Sequence, residues 1–225
     1  MIKQLGNTLL LWACILIGIS KSNAQDVDGK TSFILTGVST DIPKNHKLAL
    51  YGAYSPTDNT TAFVVWPTLK VNKYLSFTPG YTFLDTKTDN GSHLIENQIL
   101  ASGTVTIPLW DKWAITDRNM YFHRFRKDAG DLSFYRNRLG VTHRFQVAKK
   151  QASASLYNEF FLNLDNGSLS RNRIIVSGDI KLTKWLTTQV MYMYQTDKVL
   201  GNRQLAFLII TVPLENYGLF NKKNK

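Results

Sequence analysis

The feature that most constrains this chain is a period-two alternation of apolar and polar residues, sustained run after run between residues 47 and 212. Alternation of this kind sends successive side chains to opposite faces of a β-strand. It is clearest over 152–164. There Ala152, Ala154, Leu156, Phe160, Leu162 and Leu164 face one way, with Asn158 as the exception. Ser153, Ser155, Tyr157, Glu159 and Asn163 face the other, with Phe161 out of pattern. The run 170–182 repeats it, with Ile174, Val176, Ile180 and Leu182 opposing Arg171, Arg173, Asp179 and Lys181. Similar runs at 47–55, 62–71, 74–85, 93–107, 113–125, 134–147, 186–196 and 204–212 bring the expected total to ten. Most exceed the roughly 5–6 residues usual in soluble sheets. They match the roughly 9–11 residues that a tilted strand needs to cross a bilayer.

The connections support the same architecture. Short ones at 72–73, 110–112, 148–150 and 183–184 alternate with mostly longer, turn-rich ones at 56–59, 86–92, 126–131, 165–168 and 197–202. That is the pattern of short periplasmic turns and longer outer loops. The expected fold is therefore all-β, an antiparallel transmembrane β-barrel over 47–212. If both termini lie on one side, closure requires an even number of strands, which gives ten and leaves 31–40 as a short piece outside the ladder. A count of twelve, with two more strands from 25–40, is the alternative. Rings near predicted strand ends, such as Trp66, Tyr74, Tyr81, Trp110, Trp113, Phe125, Trp185, Tyr192 and Tyr194, fit interfacial girdles.

Residues 1–24 read as a secretory signal peptide. Lys3 supplies the basic start, 9–19 the apolar stretch, and Ser22-Asn23-Ala24 the small residues before a mature start at Gln25. The apolar stretch is well short of the roughly 20 residues of a membrane-spanning helix. The lone cysteine, Cys14, lies inside it, so the mature chain has neither a disulfide nor a Cys-based metal site. Residues 25–46 form an N-terminal segment and 213–225 a basic tail. The expected location is the cell outer membrane, with the bilayer and lipopolysaccharide as partners and a monomeric state. Export disfavours nucleic acid as a partner, despite the formal charge of +11.

The membrane reading assigns the polar face to the lumen, because a charge facing lipid costs about 2–4 kcal/mol at the midplane. The lumen-lining set is then Glu96, Gln98, Arg118, Arg124, Arg136, Arg138, Arg144, Glu159, Arg171, Arg173, Asp179 and Lys181, with Ser102 and Asn163 beside them. Two uses of this basic interior are open. Glu96, Arg118, Arg138, Glu159 and Arg173 form a packed ion network from five consecutive strands, or the Arg-rich lining passes or binds anionic small solutes. Asp117, Asn119 and His123 break the apolar face of 113–125, and a β-bulge there is the expected reason. His46, His93, His123 and His143 show no catalytic-triad or metal-ligand spacing, so neither an enzyme nor a cofactor is expected; His123 or His143 beside a serine is the residual route to a lipid-modifying enzyme. The opposing architecture is a soluble periplasmic lipocalin-like barrel, with apolar residues inside and charges outside.

Four short motifs add a resemblance. Glu96-Asn97-Gln98, Arg136-Asn137-Arg138-Leu139, Tyr157-Asn158-Glu159-Phe160-Phe161 and Arg171-Asn172-Arg173, in that order over 47–212, resemble the bacterial family catalogued as domain of unknown function 2490. The resemblance implies an outer-membrane barrel without an assigned activity, in which Glu and Arg recur mid-strand. The chain departs from outer-membrane proteins in lacking a terminal aromatic residue, and Phe220 or Phe207 is the candidate to stand in for it.

Overall fold

The structure is a computed structural model that describes residues 29–127, 129–198 and 201–214. The alternating runs become strands β1 (Gly29–Ile42), β2 (His46–Ser55), β3 (Thr60–Lys70), β4 (Leu75–Lys87), β5 (His93–Trp110), β6 (Trp113–Arg126), β7 (Leu132–Val147), β8 (Lys150–Asn163), β9 (Ser168–Thr183), β10 (Leu186–Asp197) and β11 (Arg203–Pro213). These eleven close into one barrel in chain order. Consecutive strands pair antiparallel, and the ring closes where β1 pairs β11 in parallel, from Gly29 against Arg203 to Ser39 against Pro213.

This corrects the expectation of ten strands, and equally the alternative of twelve. The run 31–40 alternates like the others, and only even-strand closure with both ends of the wall on one side leaves it out. A parallel seam removes that requirement: the chain enters the wall at one rim and leaves it at the other. The wall accordingly spans 29–213 rather than 47–212, and most of the supposed N-terminal segment is β1. The expected signal peptide at 1–24, residues 25–28 and all of the expected 213–225 tail beyond 214 lie outside the described residues.

The connections alternate between two rims, shorter on average at one than at the other. One carries the turns at 43–45, 71–74, 111–112, 148–149 and 184–185, and the other the longer connections at 56–59, 88–92, 127–131, 164–167 and 198–202. At Ala148 and Lys149 both φ angles are positive, 48° and 65°. That is the geometry of a two-residue hairpin matched to strand twist.

Burial identifies the faces. Glu159 and Ile175 have no exposed surface, which in a one-layer wall is attainable only inside the ring. From these two, register and alternation assign every strand. Ile34, Phe63, Ile99, Leu139, Leu156, Ile174 and Val190 are exposed on the outer face. Trp110, Trp113, Trp185 and Tyr74 form an exposed aromatic group at the short-turn rim, whereas Trp66 turns inward and packs against Met120, Phe122, Phe134 and Phe161. A second inner apolar cluster joins Ile175, Met193 and Leu205, with Tyr157 and Phe207 against it.

The seam is locked from within. Tyr51 on β2 lies across Gly37 on β1, and its hydroxyl meets Thr211 Oγ1 on β11 at 3.3 Å. At the longer-loop rim, Asp58 accepts from Thr31 Oγ1 at 3.1 Å and lies 3.7 Å from Arg203 Nη2. A Cβ at Gly37 would collide with the Leu50 carbonyl and the Tyr51 ring, whereas one at Gly52 meets nothing. Gly37→Ala is therefore expected to lower unfolding stability by about 1–3 kcal/mol, the usual cost of overpacking, and Gly52→Ala to leave it nearly unchanged. Denaturant titration of the two variants measures the difference.

Candidate functional site

The register builds the site. Cross-strand partners in antiparallel pairs share a face. One row of such partners runs Arg118 (β6), Arg138 (β7), Glu159 (β8), Arg173 (β9) and Gln195 (β10), all turned into the lumen. Arg136 enters the same space from one step along β7.

Glu159 is the centre. Its Oε1 accepts from Arg136 Nε at 2.6 Å and from Arg138 Nε at 2.8 Å, and Oε2 accepts from Arg138 Nη2 at 3.2 Å. Arg118 Nη2 and Arg173 Nη1 approach the carboxylate at 3.7 Å each. Arg173 Nε donates to Gln195 Oε1 at 2.8 Å. The Phe161 ring lies 4.7–5.0 Å from the guanidinium carbons of Arg136, Arg171 and Arg173, and Tyr157 lies 5.6 Å from that of Arg138. Such faces attract cations.

The remaining lumen residues fall into smaller groups. Glu96 does not join Glu159, contrary to the five-membered network expected from sequence. It accepts from Arg124 Nε at 2.8 Å and also holds Gln98, because register places it nearer the longer-loop rim. Arg171 Nε donates to Asp197 Oδ2 at 2.6 Å. Asp179 accepts from Ser153. Arg144 and Lys181 share the inner face by register but are exposed near the short-turn rim. Sequence reasoning missed Phe161, Gln195 and Asp197. Phe161 carried a signal, since its parity is that of Glu159.

No bulge explains Asp117, Asn119 and His123. β6 keeps unbroken register with β7 throughout and with β5 from Glu96 to Pro108, and the shift in β5 falls between Pro108 and Trp110. These polar residues therefore lie on the outer face, where Asp117 and Asn119 are satisfied together with Asn137 and His123 is met by Ser133. Asn137 Nδ2 donates to Asp117 Oδ1 at 2.6 Å and Asn119 Oδ1 at 3.1 Å, and Asn119 Nδ2 donates to Asp117 Oδ2 at 3.1 Å. Tyr135 donates to Asn119, and Asn158 donates to Asn172 at 3.0 Å. Each Asn-centred motif thus sends its charged flanks inward and its asparagine outward.

His123 makes one further arrangement, at the longer-loop rim. Its Nδ1 meets Ser133 Oγ at 2.9 Å and its Nε2 lies 3.5 Å from Asp131 Oδ2. Acyl transfer also needs donors where the oxyanion forms. Here the Ser133 N–H already donates to Asp165 Oδ2 at 3.0 Å, which places a carboxylate against that side of the serine. No group of three or more potential metal ligands occurs among the described residues.

Glu159→Gln is expected to destabilise the barrel by about 3–5 kcal/mol, the cost of leaving buried charges uncompensated. Glu96→Gln, which releases a single partly exposed arginine, is expected to cost clearly less. Urea unfolding midpoints of the two variants, compared at equal slope, measure the ranking; equal losses would show that Glu159 holds nothing special.

No curated protein matches the chain. A family model does, over residues 51–206, which reach from β2 into β11 and include every member of the Glu159 cluster. The chain belongs to the family described as protein of unknown function, DUF2490.

Proposed function

We propose that this protein is an integral outer-membrane β-barrel of structural type, exported by a signal peptide cleaved after Ala24, with its lumen braced shut at mid-height by the Glu159 cluster. The observation that carries the reading is the inversion of faces. Charges are buried inside a closed wall, while Ile99, Leu139, Leu156, Ile174 and Val190 stand 45–58% exposed outside it. A soluble ligand-binding barrel needs the opposite arrangement. Exposed apolar surface on so many neighbouring strands is costly in water, and lipid removes that cost. Tryptophans at the short-turn rim fit a headgroup girdle. The outer Asp117 runs against this pattern, and its hydrogen bonds from Asn119 and Asn137 offset part of the cost of a charge on the lipid side.

A braced lumen, rather than an open conduit, follows from Glu159. A carboxylate lining a wide aqueous channel keeps exposed surface, and this one has none. No enzymatic role belongs to this reading, given the carboxylate of Asp165 beside Ser133.

Fractionation tests the location. The mature chain is expected to begin at Gln25, to sediment with outer membranes and to need detergent for release. Recovery in the soluble periplasmic fraction would overturn the reading in favour of a lipocalin-like barrel. In planar bilayers the wild-type barrel is expected to give no stable conductance steps. Steady ohmic steps would sink the closed lumen while leaving the location intact.

A further inference from the structure

The Glu159 cluster holds more positive charge than its own carboxylate neutralises. Arg118, Arg136, Arg138 and Arg173 converge on this single acid. Other lumen acids are engaged elsewhere, Glu96 by Arg124, Asp197 by Arg171 and Asp179 by Ser153. Register sets Arg118 directly opposite Arg138, and like charges in that relation repel.

Hydrogen bonding is equally uneven. Arg136, Arg138 and Arg173 each donate to a side-chain oxygen. Arg118 does not: its Nε and Nη2 are buried without a hydrogen-bond partner, and its approach to Glu159 is 3.7 Å. The Ser102 hydroxyl is also buried without a partner. It faces Met120 on β6, two residues from Arg118 and therefore on the same inner face. Unmet donors beside surplus positive charge are the mark of an anion site.

We infer that this part of the lumen binds a small oxyanion of the phosphate or carboxylate type, with Arg118 as its principal donor and Arg138 and Ser102 alongside. The planar guanidinium fork matches two oxygens of one anion, which a halide lacks. The four arginine side chains keep 13–18% exposure, but Arg118 Nε and Nη2 are themselves buried, so an anion meets them only as the Arg118 head turns toward its exposed side. The closed wall lies between the lumen and anything outside, so the ligand is a soluble anion rather than a membrane headgroup. An anion there offsets the Arg118–Arg138 repulsion and completes the donors that Glu159 leaves unmet. The inference does not rest on the membrane reading, because the cluster is inside the ring whether lipid or water surrounds it.

The test is denaturant unfolding of the full mature chain, folded in detergent, in phosphate, in succinate and in chloride at matched ionic strength. One of the two oxyanions is expected to raise stability over chloride. Past saturation, each tenfold rise in its free concentration should multiply the folding constant about tenfold. Which of the two acts identifies the anion type. Arg118→Met is expected to abolish that dependence while leaving stability in chloride equal or higher, since the charge removed lacked a hydrogen-bond partner. Arg118→Lys keeps the charge without the fork, and is expected to fold and to need at least tenfold more anion. Wild-type stability that is the same in all three salts overturns the site. So does anion dependence that survives intact in Arg118→Lys or Arg118→Met.

Discussion

A single carboxylate organises the interior of this barrel. Glu159 has no exposed surface, and three neighbouring strands send arginines to it from β6, β7 and β9. Desolvating a charge is costly unless geometry and hydrogen bonds compensate. Here the compensation comes from strand pairing. Register alone sets Arg118, Arg138, Glu159 and Arg173 in one row, so backbone hydrogen bonds fix the side-chain positions before the ion contacts form. The aromatic faces of Phe161 and Tyr157 then complete the surroundings of the guanidinium groups.

The same alternation that sends these charges inward sends the intervening asparagines outward. Asn137 lies between Arg136 and Arg138, and Asn172 between Arg171 and Arg173. One motif thus serves both faces of the wall. Beside the outer amides runs a groove of about 420 Å³ lined by Ile115, Leu139, Val141, Leu156 and Ile174. The wall is therefore neither purely apolar outside nor purely charged inside: Trp66, Phe122 and Phe134 fill part of the lumen next to the ion cluster. Polar pairs outside and apolar packing inside both follow from the need to satisfy every polar group wherever it lies.

Much of this was legible in the sequence. The faces of β8 and β9 follow from simple parity, because a strand's side-chain period is two. Arg171 and Arg173 thereby fell on one face with Asp179, and Ile174 and Val176 on the other. The turns were legible because chain reversals break the alternation. Two features misled. His123, Asn119 and Asp117 looked like a bulge because an apolar face was expected to be wholly apolar, yet their partners across the strand make them tolerable. Glu96 looked like a member of the Glu159 network because strand order was known while stagger was not. Each strand is displaced along its neighbour, and the row through Glu159 reaches β5 at Thr104 rather than at Glu96.

The sequence by itself determined that the chain forms long amphipathic strands, which side of each strand carries charge, and which residues reverse the chain. These are local properties, written in the order of residues and in the two-residue period of the extended backbone. Only the tertiary structure decided how the wall closes and which charges meet. Closure brings Gly29–Ser39 beside Arg203–Pro213 in parallel, a pairing between residues more than 170 positions apart that no local pattern encodes. The meeting of four arginines on Glu159 depends on the stagger of β6 through β9, and stagger is set by the whole ring closing at once.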